Sequence, residues 1–177
     1  MIKIKSTLLI ISHVLIRRHQ KRCYVQGGFG RHVDAFAQRF EKVYLLTCAK
    51  PSRGPLNEYY LRAQNVTIVQ VPNIWHQAKV IRYAKMLWGM LYATLRLPFL
   101  IKSCDVIHPR LPSPIGNVGA LFARFARKPV LIYIAGDWEE ALLSKGHGLI
   151  MRVLAHLLQC TLRFLVDRHL ATPLDRC

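Results

Sequence analysis

The sequence predicts an α/β fold, in which a Rossmann-like parallel sheet carries helices on both faces of a single domain. Short strand-like runs alternate with helical patterns along the chain, as they do where crossover helices join parallel strands. A glycine-rich turn at residues 27–30 also lies between the first apolar run and the first helical pattern. The 177 residues are enough for one domain with a sizeable core.

The first half of the chain contains three predicted strands and two predicted helices. Runs rich in leucine and β-branched residues indicate strands, whereas apolar residues that recur on one helix face indicate helices. In the first helix, Val33, Phe36, Ala37 and Phe40 have this helical spacing. The predicted elements are strands at 8–13, 43–47 and 66–71, helices at 30–40 and 79–97, and a loop at 51–61.

The second half continues the alternation with strands at 105–108 and 130–134 and helices at 113–127 and 148–166. Ser113 followed by Pro114 predicts a helix start, since serine caps free N–H groups and proline fits the first helical position. Parallel sheets bind ligands at the carboxyl ends of their strands. The candidate site residues at strand ends are therefore His13, Thr47, His108 and Gly136.

The charge balance predicts an anionic partner. The chain has 26 Lys and Arg against 9 Asp and Glu, a formal net charge of +17, which suits nucleic acid, acidic lipid headgroups or a phosphorylated substrate. No nucleic-acid motif accompanies the short basic cluster at 17–22, so nucleic acid is not expected. Five widely spaced cysteines without a C-x-x-C pair suggest neither a zinc site nor a disulfide framework and favour the cytoplasm.

Two segments have alternative interpretations. The apolar run at 7–16 follows Lys3 and Lys5 and resembles a signal peptide, but His13 interrupts it and Arg17 follows it, which favours a buried first strand.

Neither long helix has about twenty uncharged residues, so a transmembrane span is not expected. Both helices pack on the sheet, or the one at 79–97 lies on an anionic membrane surface as a peripheral contact. The basic residues of that surface are Arg82, Lys85 and Arg96.

The glycine-rich turn allows backbone N–H groups to approach an anion closely at the positive end of a helix. This favours a phosphorylated ligand, although a simple connecting loop is the alternative. Val33 stands where the dinucleotide-binding fingerprint needs glycine or alanine, so that fingerprint is not assigned.

Several segments, taken in order, resemble the N-terminal domain of family-four retaining glycosyltransferases, which have the two-domain GT-B fold. The segments are residues 27–33, 105–108, 112–116, 128–138 and 165–171. The resemblance implies that 1–177 is the acceptor-side domain and that the donor-binding C-terminal domain is absent. It further implies sugar transfer from a nucleotide-sugar donor to a glycan or lipid-linked acceptor, without a metal or other cofactor. A truncated product and one half of a split enzyme, completed by a separate donor-domain chain, are both open.

The resemblance also implies roles for individual residues. Gly27, Gly28 and Gly30 would lie under the donor phosphates. His108 and Asp137 would be catalytic, and Arg110 and Gly136 would contact the acceptor. Their alternative roles are structural: His108 as a hydrogen-bonding residue of a strand end, and Asp137 as a helix N-cap. A non-catalytic basic module that binds anionic membrane or nucleic acid is the alternative function.

Overall fold

The computed structural model describes residues 4–19, 22–25, 28–51, 58–72, 79–111 and 113–134, together with His156 and Cys160. This part of the chain forms eight strands and three helices, which confirms the predicted α/β class. The strands are β1 (Ile4–Ile11), β2 (Ile16–His19), β3 (Arg22–Val25), β4 (Phe40–Pro51), β5 (Tyr59–Tyr60), β6 (Val66–Val71), β7 (Val106–Leu111) and β8 (Tyr133–Ile134). The helices are α1 (Phe29–Arg39), α2 (Lys79–Lys102) and α3 (Pro114–Phe125).

The centre of the sheet is parallel, with the strand order β6-β4-β1-β7-β8. From β1 the chain passes through α1 to β4 on one side, and later returns through α2 to β7 on the other side. The direction in which strands are added therefore reverses between β1 and β7. Such a reversal opens a crevice outside the carboxyl ends of the two strands, which is where open α/β sheets bind ligands.

Strand β1 supplies both hydrophobic cores. Residues 8–11 (Leu-Leu-Ile-Ile) are fully buried, and successive side chains of a strand point to opposite faces. Leu8 and Ile10 pack with α1, whereas Leu9 and Ile11 pack with α2 and α3. The predicted buried first strand and the predicted helices on both faces are thus confirmed.

Helix α2 is longer than the sequence predicts. It continues through Pro98 to Lys102, although proline lacks an N–H and its ring opposes the preceding turn. Leu97 and Ile101, on either side of the proline, are both buried in the core. Their burial holds the helix on the sheet across the proline, which is itself exposed.

Three short strands were not predicted. The basic cluster at 17–22 lies largely in an antiparallel hairpin of β2 and β3, whose strand β2 also pairs in parallel with the end of β4. Strand β5 lies inside the predicted loop 51–61 and pairs with β3. An ion pair of 3.4 Å between Arg17 and Glu58 joins the hairpin to the residues before β5. Strands of two or four residues have too few alternations to be distinguished from loop by pattern alone.

The last predicted elements are covered only in part. The strand predicted at 130–134 is reduced to β8, with an isolated bridge between Val130 and Ile107. The helix predicted at 148–166 lies outside the described residues apart from His156 and Cys160, both of which are helical. None of the helices among the described residues combines the length and apolar character that crossing a bilayer requires.

Helix α3 begins where the sequence predicts. The Ser113 hydroxyl accepts a hydrogen bond of 2.9 Å from the Gly116 backbone N–H, and Pro114 occupies the first turn. Gly119 then lets the helix approach β1, because a Cβ at this position would overlap Cδ1 of Ile11.

Replacing Ser113 with alanine leaves a buried N–H without its acceptor, so we expect the free energy of unfolding to fall by about 1–2 kcal/mol. Ser103→Ala is the matched control, since that exposed hydroxyl donates to the carbonyls of Phe99 and Leu100 and caps no helix N-terminus. Its effect should stay within about 0.5 kcal/mol. Urea unfolding of the two variants measures the difference, and equal losses would contradict the capping role.

Candidate functional site

The reversal between β1 and β7 is bordered by the first turn of α1, the second half of β7 and strand β8. His108 and Arg110 are two residues apart on β7, so they share one face of the strand. Both contact side chains of α1 on that face. We call the following group the α1–β7 cluster: Phe29, His32, Phe36, His108, Arg110 and Tyr133.

Two histidines from distant parts of the sequence form the centre of the cluster. Nε2 of His32 lies 3.0 Å from Nε2 of His108, and Nδ1 of His108 lies 2.6 Å from the Leu131 carbonyl oxygen. A carbonyl can only accept, so Nδ1 of His108 donates and, in the neutral ring, its Nε2 accepts. Nε2 of His32 must then donate, which leaves the lone pair of neutral His32 on Nδ1.

The surroundings keep this pair uncharged. Burial, together with the smaller effects of His32 and Arg110, lowers the pKa of His108 to about 4 against the opposing effect of the Leu131 hydrogen bond. Burial also lowers the pKa of His32, and the positive charge of Arg110 adds to that effect. The pair is therefore neutral near pH 7, and His32 presents an acceptor nitrogen.

Arg110 brings a positive charge to the same place. Its guanidinium carbon lies 4.9 Å from the ring centroid of Phe29 and 5.6 Å from that of Tyr133. Its Nε is buried and has no hydrogen-bond partner within the described part of the chain. An arginine held by two aromatic rings with a donor unused is suited to an anionic ligand, because a guanidinium can bind phosphate or carboxylate oxygens in pairs.

The glycine-rich turn has a different construction from the one the sequence suggests. Gly28 is the N-cap of α1, with φ −72° and ψ −10°, and a Cβ there would meet nothing within 4 Å. Its backbone therefore does not require glycine. Gly30 does, because a Cβ there would overlap the Tyr59 ring. Gly27 lies outside the described residues, and phosphate binding by this turn stays a prediction.

A buried carboxylate on α1 holds the segment from Tyr59 to Ala63 against this helix. Asp34 accepts hydrogen bonds from the Tyr59 hydroxyl at 2.7 Å and from the backbone N–H groups of Arg62 and Ala63 at 3.0 and 3.1 Å. It is only 6% exposed, and these bonds offset the cost of burying its charge. The bond to Asp34 also raises the pKa of Tyr59. The sequence gives little sign of these hydrogen bonds beyond the presence of a charged residue, Asp34, next to the apolar Val33.

Arginine and tyrosine side chains stack on the far side of this carboxylate. The Arg31 and Arg62 guanidiniums each lie 5.8 Å from the Tyr59 ring centroid, and those of Arg22 and Arg62 lie 5.6 Å from that of Tyr60. These contacts join α1, β3 and β5, so the short strand β5 is held by stacking as well as by backbone pairing.

The structure brings together some of the predicted site residues. His108 and Arg110 lie beside α1, but His108 is not at a strand end, since β7 continues to Leu111. Thr47 is also inside its strand, and its hydroxyl donates to the Val14 carbonyl. Gly136 and Asp137 lie outside the described residues. Sequence reasoning missed His32, because one polar residue on a helix carries no signal of its partner 76 residues away.

The predicted membrane residues are separate from the α1–β7 cluster. Lys85 and Arg96 are exposed on α2, which packs against the opposite face of the sheet from α1. The Arg82 side chain lies outside what the structure describes. Within the described ranges, no three histidine, cysteine or acidic side chains converge as metal ligands do.

No protein-family model matches the sequence, and no curated protein matches it. Among solved structures, the chain is similar to UDP-N-acetylglucosamine 2-epimerase, with 11% identity and a TM-score of 0.41 over 98% of this chain and 45% of that one. It is also similar to CalG4, the calicheamicin glycosyltransferase, with 15% identity and a TM-score of 0.40 over 97% of this chain and 43% of that one. The chain spans less than half the length of either protein.

The two glycines of the turn should respond differently to the same substitution. Gly30→Ser forces the Tyr59 ring away from α1 and disturbs its bond to Asp34, so we expect a loss of about 1–3 kcal/mol in unfolding free energy. Gly28→Ser meets open space and adds a capping oxygen, so stability should be unchanged or up to about 1 kcal/mol higher. Thermal unfolding compares them, and a larger loss for Gly28→Ser would contradict the close approach at Gly30.

Acid should destabilise the fold through His108. Its pKa is about 4 in the folded state against an ordinary 6.5, so the unfolded chain binds more protons between these values. Stability is then complete above about pH 6.5 and is lost as the pH falls toward about 4, by on the order of 3 kcal/mol in total. Urea unfolding from about pH 7 to about pH 4.5 should show a shallower loss for His108→Gln. Parallel pH dependences of variant and parent would contradict this assignment.

Proposed function

We propose that residues 1–177 are the acceptor-side domain of a nucleotide-sugar-dependent glycosyltransferase, in which a second domain binds the donor. The observation that supports this most directly is the Arg110 guanidinium, which is held between Phe29 and Tyr133 with an unused donor. It lies at the strand-order reversal, where this class of sheet binds ligands. The order of the family-like segments in the sequence points to the same reaction.

Two kinds of hydrogen-bond donor would bind an anion at this place. The first turn of α1 carries N–H groups that no side chain caps, and Arg110 stacks on Phe29 of that same turn. Backbone donors at a helix N-terminus together with a guanidinium stabilise a diphosphate more than either does alone. In the proposed reaction the bond from the anomeric carbon to the diphosphate oxygen breaks, and these donors stabilise the departing charge.

The histidine pair would act on the acceptor. An acceptor hydroxyl oxygen forms the new bond to the anomeric carbon and must lose its proton. Of the two histidines, His32 is the one whose Nδ1 has no hydrogen-bond partner among the described residues, so we assign the contact with this hydroxyl to His32. His108 has both nitrogens engaged and serves to orient His32. The catalytic role of Asp137, the acceptor contact of Gly136 and the phosphate contact of Gly27 stay predictions from the family resemblance.

The experiment is a transfer assay with a panel of nucleotide-diphosphate sugars. The purified chain, which supplies one wall of the cleft, should show negligible turnover. Co-expression with the polypeptide encoded immediately downstream should restore it if that polypeptide is a donor domain. Normal turnover by the isolated chain would contradict its incompleteness. No turnover with a verified donor domain would contradict glycosyl transfer and favour the non-catalytic basic module.

In the completed enzyme, Arg110→Gln should lower kcat at least about tenfold, because each lost 1.4 kcal/mol of transition-state stabilisation costs a factor of about ten. Arg39→Gln is the matched control, since Arg39 is exposed at the other end of α1. Circular dichroism confirms that both variants are folded. Equal activities of the two would remove Arg110 from the anion site.

A further inference from the structure

Helix α2 has two apolar faces, of which the sheet covers only one. The covered face consists of residues spaced by four: Gly89, Ala93, Leu97 and Ile101. The other, which we call the α2 outer face, consists of Ile81, Leu87, Trp88, Leu91, Leu95 and Phe99. Most of these residues are three or four positions apart, so they form one continuous surface.

The α2 outer face is exposed to an extent that a helix packed in a finished domain does not need. Trp88 is 61% exposed, Leu95 is 63% and Phe99 is 77%. Single exposed apolar residues are ordinary, but a contiguous apolar surface of this kind marks a place where a partner binds.

The charges of α2 identify the kind of partner. Residues 79–102 include five Lys and Arg and no Asp or Glu. Lys85 and Arg96 are exposed on the border of the outer face, and Lys102 is exposed at its end. The Arg96 guanidinium lies 5.0 Å from the Tyr92 ring centroid. The partner must therefore offer an apolar layer and negative charge side by side.

An anionic lipid bilayer has this combination. A helix with tryptophan, phenylalanine and leucine on one face and basic residues along the border lies in the plane of the headgroups, with its apolar side chains in the acyl boundary. Each basic residue near such a surface contributes on the order of 1 kcal/mol, and salt screens the attraction. A second copy of this chain would instead bring a like charge of +17 against this face.

We propose that α2 docks this protein on anionic membrane through its outer face, with Trp88, Leu91, Leu95 and Phe99 entering the lipid and Lys85, Arg96 and Lys102 binding headgroups. The proposal is independent of the glycosyl-transfer assignment. Because α1 lies on the opposite face of the sheet, a domain docked in this way keeps the α1–β7 cluster away from the lipid.

Co-sedimentation with two kinds of vesicle tests the docking: phosphatidylcholine alone, and phosphatidylcholine mixed with phosphatidylglycerol. The parent chain should bind the mixed vesicles and scarcely bind the neutral ones. Lys85→Gln, Arg96→Gln and Lys102→Gln together should weaken binding by about two orders of magnitude if their contributions add. The control triple removes the same charge elsewhere, at Arg39, Lys42 and Arg127, which are all exposed. The control variant should weaken vesicle binding far less than the α2 variant. Equal losses of binding would mean that only the overall charge matters, which would overturn the docking surface.

Leu91→Gln with Leu95→Gln tests the apolar part. Both side chains are exposed, so the fold should tolerate the change, and binding should fall at least about tenfold. Ile4→Gln with Ile134→Gln is the matched control, because these two residues are also exposed but lie on strands. Unchanged binding of the α2 pair, or binding that ignores lipid charge, would overturn the proposal. The proposal would also be overturned if light scattering showed that the parent chain is a dimer and that the Leu91→Gln, Leu95→Gln variant is a monomer.

Discussion

The architecture depends on the complete burial of one short strand. Residues 8–11 pair with β4 along one edge and with β7 along the other, while their side chains enter both cores in alternation. A single charged side chain here would enter an apolar core whichever face of the strand it occupied. The position of this strand also determines the site, because β1 is where the sheet changes its direction of growth.

The elements predicted correctly are those whose local signal agrees with their tertiary surroundings. Strand β6 has the predicted bounds, and α3 begins at Ser113 and Pro114 because capping chemistry depends on adjacent residues. The errors have the opposite cause. β2 and β3 are strands because the end of β4 and strand β5 pair with them, and α2 passes Pro98 because both neighbouring turns are anchored in the core. Long-range pairing and packing of this kind leave little trace in local sequence.

The site was predictable in the same uneven way. His108 was a candidate because it ends the predicted strand 105–108, whereas Arg110 entered only through the family resemblance, since the predicted strand stopped before it. The hydrogen bond from His32 to His108 could not be inferred, since it joins residues 76 positions apart. The tautomer of the pair follows from one carbonyl, that of Leu131, whose position is set by the pairing of the chain around β7 and β8. The surroundings of His108 therefore determine which of its ring nitrogens donates and which accepts.

The parallel neighbours of β1 also constrain how the chain is made. During synthesis β1 leaves the ribosome before its two neighbours in the sheet, and β4 follows it closely enough to pair early. The backbone N–H of Thr7, however, bonds to the carboxylate of Asp105, 98 positions later, and β7 follows directly after that residue. The β7 edge of this strand therefore stays open while the segment between β1 and β7 is translated, which is the kind of edge that other chains can join. Chaperones that hold nascent chains would protect this interval, and the distance between β1 and β7 sets its length.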